Sequence, residues 1–259
     1  MSKSPTLRFS DRVENYIRYR PGYPPEVLEV LRAECGLRSH HVIADVASGT
    51  GLLTRLLLEN GNPVFAVEPN TEMREAGERM LAHYRKLVSI NGTAEQTGLD
   101  SASVDFVTAA QAAHWFDPER ARAEFARILK PGGWCVLIWH ERRTDATPFL
   151  RDYEQLLLAY GTDYKEVRHE HTTASIHEFF APAAFRERVL EYRQRFDYEG
   201  VTGRLLSSSY APLEGHPNYE PMMRELERIF RDHARNGTVE VEYTTRVFYG
   251  RLHACDSNL

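Results

Sequence analysis

The sequence predicts a doubly wound α/β sheet, mostly parallel and seven-stranded, with a helical cap and an antiparallel pair of strands at its C-terminal end. Between residues 41 and 141, short β-branched apolar runs alternate with amphipathic helical runs, the signature of a parallel sheet covered on both faces. Glycine, proline and capping residues punctuate each change of period. Beyond residue 142 the rhythm changes, and two late segments alternate as strands while two others read as helices.

The elements follow in order. "SDRVENYIRYR" predicts a helix with Ser10 as its N-cap that stops before Pro21, and "PPEVLEVLRAECG" a second, opened by prolines and closed by Gly36. "HVIADVA" (41–47) is the first strand, "GLLTRLLLENG" (51–61) a helix, and "PVFAVEP" (63–69) the second strand. "NTEMREAGERMLAHY" is a helix capped by Asn70, followed by strands at 87–92 and 103–112. A helix over 117–133, stopped by Pro-Gly-Gly, leads into the fifth strand, "WCVLIWHE" (134–141). "TPFLRDYEQLLLAYG" and "PNYEPMMRELERIFRDHARNG" are cap helices; 188–199 and 239–252 are the late strands. The chain of 259 residues therefore divides into an N-terminal helical segment (1–40), an α/β core (41–141), a cap with one late strand (142–237) and a C-terminal strand (238–259), all within a single domain.

A net charge of −5 gives no general attraction to nucleic acid or anionic membrane. No apolar run approaches membrane-spanning length, and "MSKSPTLRFS" has no apolar stretch after its lysine, so neither a membrane anchor nor a secretory signal is expected. Cys35, Cys135 and Cys255 lie far apart without metal-ligand spacing, which predicts a reduced cytoplasmic protein without a metal site. "RHEH" (168–171) lacks further ligands and reads as an exposed loop.

Residues 42–51, "VIADVASGTG", run an apolar strand into an acid and a glycine-rich turn, where ligands of doubly wound sheets bind. A dinucleotide fingerprint needs a third glycine where Leu52 stands, and no Gly-Lys-Ser/Thr of a phosphate loop follows. Asp45 would repel a diphosphate and attract an ammonium; a ligand with an ammonium, a sulfonium and no phosphate fits. Glu68 and Pro69 follow in "VEPN", with Glu68 twenty-three positions after Asp45, where a carboxylate holds a ribose diol. Glu68 also reads as an ordinary acid opening a helix, and Met73 either covers an adenine or packs in the helix core.

"DVASGTG", "VEPN", "INGTAEQTGLDSASVDFV" and "ILKPGGWCVLI" resemble the successive motifs of class I S-adenosylmethionine-dependent methyltransferases of the type 11 kind, over about residues 40–141. "RFSDRVENYIRYRPGYP" and "AAHWFD" further resemble the trans-aconitate methyltransferase-like subgroup. The resemblance implies a Rossmann-like methyltransferase fold and S-adenosylmethionine as cofactor. It implies that Asp45, Ala47, Ser48 and Gly49 line the methionine and ribose, that Thr93, Ala94 and Glu95 border the adenine, and that Gln111 and Ala112 lie under the methionyl group. Tyr16 and Arg20 become candidates for closing the cofactor site, against helix packing and a solvated charge. Ala47 departs from the family, which usually has glycine there, so a small shift of cofactor geometry without loss of binding is expected.

The implied reaction is O-methylation of a small molecule, at a carboxylate or hydroxyl, by in-line transfer. His114 is the candidate base, with substrate orientation and structural hydrogen bonding as its other roles; Trp115 and Phe116 would form an aromatic wall or pack. An N- or C-methyltransferase, or a non-catalytic S-adenosylmethionine-binding protein, are the alternatives; a nicotinamide oxidoreductase is opposed by Leu52 and Asp45. Gln111-Ala112-Ala113-His114 lacks the Asp/Asn-Pro-Pro-aromatic motif of nucleic-acid amine methylation, and Cys135 reads as core, so nucleic acid is disfavoured. Arg151, Arg168, Arg186, Arg188, Arg193, Arg195 and Arg204 of the cap either form solvated faces beside acids such as Glu187 and Glu191 or, as the subgroup suggests, bind a carboxylated substrate.

Overall fold

The computed structural model describes residues 18–20, 22–167 and 172–252. Tyr16, Cys255 and the "RHEH" segment lie outside them. Seven strands form one sheet in the order β3-β2-β1-β4-β5-β7-β6. They are β1 (Ile43–Val46), β2 (Val64–Val67), β3 (Leu87–Ile90), β4 (Val104–Ala110), β5 (Leu129–Arg142), β6 (Phe185–Phe196) and β7 (Val239–Gly250). The first five pair in parallel; β7 pairs antiparallel with both β5 and β6. The expected doubly wound sheet with an antiparallel late pair is therefore the observed one. From β1 the chain moves to β2 on one side and returns to β4 on the other, which opens a crevice above the carboxyl ends of β1 and β4.

Period-2 alternation sends side chains to two separate cores. Ile43, Phe106, Val136 and Tyr249 pack with Leu31 of α1 (Glu26–Cys35), Leu57 of α2 (Leu52–Glu59) and Leu81 of α3 (Thr71–Leu81). Ala44, Val107, Leu137 and Trp139 face the other way, onto Phe125 of α4 (Pro118–Ile128) and Phe179 of α7 (Thr172–Phe180). A third core joins α5 (Pro148–Tyr160), α8 (Tyr198–Leu206) and α9 (Tyr219–His233) to the first half of β7 through Leu157, Leu205, Leu226 and Tyr243. The cap is thus fastened to the sheet beside the end of β5. A short α6 (Tyr164–Val167) follows α5. Among the described residues no helix is long and apolar enough to cross a membrane.

Caps lie where their chemistry demands. Asn70 Oδ1 accepts from the Met73 amide, Asp117 Oδ1 from Arg120, and Thr147 Oγ1 from Leu150, while Gly36 closes α1 in the left-handed conformation. Two expected boundaries are corrected. The helix predicted over 117–133 ends at Ile128, because Leu129 turns extended and pairs with Val104; Pro131-Gly132-Gly133 fall within β5, where the register shifts between Val104 and Phe106. The strand predicted over 188–199 runs over Phe185–Phe196, and Asp197 instead caps α8 by accepting from the Gly200 amide. α6, α7 and α8 had no expectation, and α6 is only four residues long.

Candidate active site

The turn after β1 lies at the crevice. Ala47, Gly49 and Gly51 all have positive φ, at 56°, 59° and 84°. Ala47 thus holds the left-handed conformation that suits the glycine usual at this position. A Cβ on Gly51 would sit 2.5 Å from Leu81 Cδ1, and one on Gly77 would sit 3.3 Å from the Thr50 carbonyl carbon, so α3 packs closely behind the turn. Since left-handed backbone costs an L-residue roughly 1–2 kcal/mol and glycine repays about 0.5–1 of it in unfolded-chain entropy, Ala47→Gly should raise the melting temperature by about 1–3 °C. Differential scanning calorimetry checks this; a lower melting temperature would show that Ala47 is not strained.

Asp45 lies beneath the turn, 1% exposed. Its Oδ2 accepts from Thr54 Oγ1 at 2.5 Å and its Oδ1 from Thr108 Oγ1 at 2.9 Å. Burial raises its pKa from 3.8 to about 6, against the pull of both threonines and with a further push from Glu68. Thr108 lies opposite Asp45 in the parallel register and Thr54 in α2, so two hydroxyls fix the carboxylate as part of the floor. Glu68, at the end of β2, accepts from the Gly49 amide at 2.9 Å through Oε2 and from the Asn70 amide at 2.8 Å through Oε1. Each oxygen keeps lone-pair capacity for a further donor. Burial pushes this carboxyl up too, while the Asn70 and Gly49 amides and Arg74 pull it partly back.

Ser48 donates its amide to the Val67 carbonyl, which ties the turn to β2, and Pro69 continues the rim between Glu68 and Asn70. Met73 is buried, its methyl 3.5 Å from where a Gly49 Cβ would lie, so it packs against the turn itself. On the loop after β3, the Thr93 amide donates to Gln96, Ala94 is buried, and Glu95 accepts from the Asp117 amide at 3.0 Å. Gln111 ends β4 with φ 57°, donates through Nε2 to the His140 carbonyl at 2.7 Å and accepts from the His140 amide at 3.0 Å. Ala112 is buried and opens the 3-10 turn Ala113–Trp115. His114 sits in that turn, tilted against Trp115 (centroids 4.3 Å apart) and edge-on to Trp139 (5.1 Å). Trp115 is partly exposed, while Phe116 packs edge-on to the core ring Phe125. Arg20 donates to the Ser207 carbonyl at 3.4 Å, at the C-terminal end of α8.

The donor set at the crevice consists of two buried carboxylates around a narrow bend, one with capacity left for hydroxyl donors. That chemistry fits an adenosyl ligand with a ribose diol and positive charge, and disfavours a diphosphate. Sequence reasoning missed Thr54 and Thr108, which hold Asp45, and also His140 and Arg142. The latter two lie at the carboxyl end of a strand beside the switch point, a position that itself was the signal.

Residues 44–137 match the family described as methyltransferase domain. An uncharacterized methyltransferase of Mycobacterium bovis is 43% identical over 137 residues, 53% of this chain; the chain spans only about half that relative's length, 54%. A putative type II methyltransferase of Anaeromyxobacter dehalogenans superposes with a TM-score of 0.69 at 24% identity, covering 90% of this chain and 98% of that one. An N-methyltransferase of Haemonchus contortus, solved with phosphomonomethylethanolamine and S-adenosylhomocysteine, shares the fold at a TM-score of 0.53 and 13% identity, over 97% of this chain and 60% of that one. Residues 44–137 thus match a methyltransferase domain, and the chain around them folds as the seven-stranded sheet that solved methyltransferases share.

Proposed function

We propose that the whole chain is a cytoplasmic enzyme that transfers a methyl group from S-adenosylmethionine to an oxygen atom of a small molecule. The observation that carries this reading is the buried Glu68 carboxylate, fixed by the Gly49 and Asn70 amides at the edge of the strained β1 turn. Bound S-adenosylmethionine supplies an activated methyl group, so the protein's task is positioning and exclusion of water. In this reading Glu68 accepts from the ribose hydroxyls, and Asp45 favours positive charge from below. Gly49 and Ser48 bring backbone close, and Ala94 with Met73 supplies apolar surface. Gln111, pinned to His140, holds the carboxyl end of β4 in place. His114 accepts a proton from a hydroxyl acceptor; a carboxylate acceptor needs no base near pH 7. Buried free thiols at Cys35 and Cys135 agree with a reducing compartment. The subgroup resemblance of "AAHWFD" favours oxygen over nitrogen or carbon.

Calorimetry with S-adenosylmethionine, S-adenosylhomocysteine and NAD tests the cofactor, with binding of the two sulfur compounds alone expected. Release of S-adenosylhomocysteine from a metabolite panel then tests turnover. Binding of NAD without either sulfur compound would overturn the reading.

A further inference from the structure

Beside the end of β5 the structure buries more positive charge than negative. Of the cap arginines, Arg186 and Arg188 pair with Glu34, and Arg193 and Arg195 with Glu240; all four are exposed. Arg151 donates to the Asp145 carbonyl at the surface. Arg204 differs, being 8% exposed on the inner side of α8. Among the described residues its guanidinium donates to neutral hydroxyls, Tyr243 at 3.3 Å and Ser208 at 3.1 Å. Among the described residues no carboxylate forms an ion pair with it. Arg142, its side chain 9% exposed, donates through Nη2 to Glu154 and Tyr164 and lies over the Tyr153 ring, which leaves its buried Nη1 without a hydrogen-bond acceptor among the described residues. His140, two residues earlier and on the same strand face, stacks on Tyr243 and bonds Thr245 through Nδ1, while its buried Nε2 has no partner. Among the described residues Glu154 is the carboxylate ion-paired in this group, with Arg142.

The field of this cluster is legible in its neighbours. Burial pushes the Tyr210 hydroxyl up, yet Arg204, Arg142 and Arg20 outweigh it and hold the phenol below its usual range. Burial, with help from Arg204 and Arg20, pushes His140 down to about 3, so its ring is neutral and adds no compensating or competing charge. An uncompensated buried guanidinium costs several kcal/mol, and a planar fork with a spare N–H is suited to a group with two anionic oxygens.

We propose that Arg204, Arg142 and His140 form a recognition subsite for an anionic group, carboxylate or phosphate, of the methyl acceptor. The proposal rests on the methyltransferase reading for its role, and adds that the group held here is not the one methylated. Oxygens engaged by guanidiniums have their lone pairs committed and make poor nucleophiles, so the accepting atom belongs to a second group of the same molecule. Gln111 joins the two regions, because it hydrogen-bonds His140 on one side and ends β4 on the other. Gly203 admits the Tyr19 ring, and Arg20 reaches the Ser207 carbonyl, so these two residues lie against α8 next to Arg204.

The test uses the full chain saturated with S-adenosylhomocysteine, its binding confirmed in the same titration. Malonate, inorganic phosphate and, as a matched-ionic-strength control, sodium chloride are then added, and the melting temperature is followed. Malonate or phosphate should raise it by about 2–4 °C, with chloride without effect; the larger of the two shifts identifies carboxylate or phosphate as the preferred group. Arg204→Met should melt higher than wild type without added anion, and bind the anion at least about tenfold more weakly. Should Arg204→Met fail to fold, Arg142→Lys keeps the charge but loses the fork, and the same weakening is expected. Shifts no larger than with chloride, or undiminished in these variants, would overturn the subsite. Failure of S-adenosylhomocysteine itself to bind would instead overturn the cofactor reading.

Discussion

Glu68→Gln is expected to weaken S-adenosylmethionine binding by roughly 100-fold, about 3 kcal/mol, the loss that follows when two hydroxyls no longer meet a charged acceptor. The carboxylate is 8% exposed and fixed by two backbone amides, so its direction does not have to be organised at binding. A glutamine keeps one acceptor oxygen and turns its NH2 toward either the Gly49 or the Asn70 amide. The variant should therefore also lose about 1–2 kcal/mol of folding stability. Titration calorimetry at a temperature well below melting separates the two losses. An unchanged dissociation constant would place the ribose elsewhere.

Asp45→Asn is expected to move stability and affinity in opposite directions. The folded pKa of Asp45 is raised to about 6 from 3.8. Its contribution to stability is therefore fully present below about pH 4 and is lost as pH rises through 6, the reverse of a salt-bridged acid. The loss amounts to about 3 kcal/mol at pH 7, at 1.36 kcal/mol per unit. Asparagine cannot ionise; it can accept from one threonine hydroxyl and donate to the other. Urea unfolding should show the variant gaining on wild type by about 2–3 kcal/mol between pH 4 and 7. Cationic cofactor, in contrast, favours the ionised form, so wild-type affinity should rise with pH through 6. In the variant that rise should flatten to what Glu68 alone supplies, since burial raises Glu68 in the same direction. A variant that binds as tightly as wild type at pH 7 would reduce Asp45 to a structural role shared with Thr54 and Thr108.

The two carboxylates thus divide the work at the crevice. Glu68 faces the rim with acceptor capacity to spare, whereas Asp45 has each oxygen engaged by a threonine and acts through its charge. Nothing in "DVASGTG" distinguishes them, because the difference arises from Thr108 lying in register across the sheet and from α2 folding back over β1. Sequence spacing identified both acids but not their different environments.

The sequence by itself determined the order and kind of the core elements, since alternating periods, caps and glycine turns are local properties. It also placed Asp45, the β1 turn and Glu68 at the crevice, because in a parallel sheet the carboxyl ends of successive strands lie on one edge. It misjudged the end of α4, where Val104 claimed Leu129 for the sheet, and the end of β6, where Asp197 became a cap. Only the tertiary structure decided which of many cap arginines is buried. Arg204 and Arg188 are indistinguishable as letters, yet one packs behind α8 beside Arg142 while the other meets Glu34 in solvent. Burial is set by which surfaces meet, and it converts an ordinary charge into one that requires a partner.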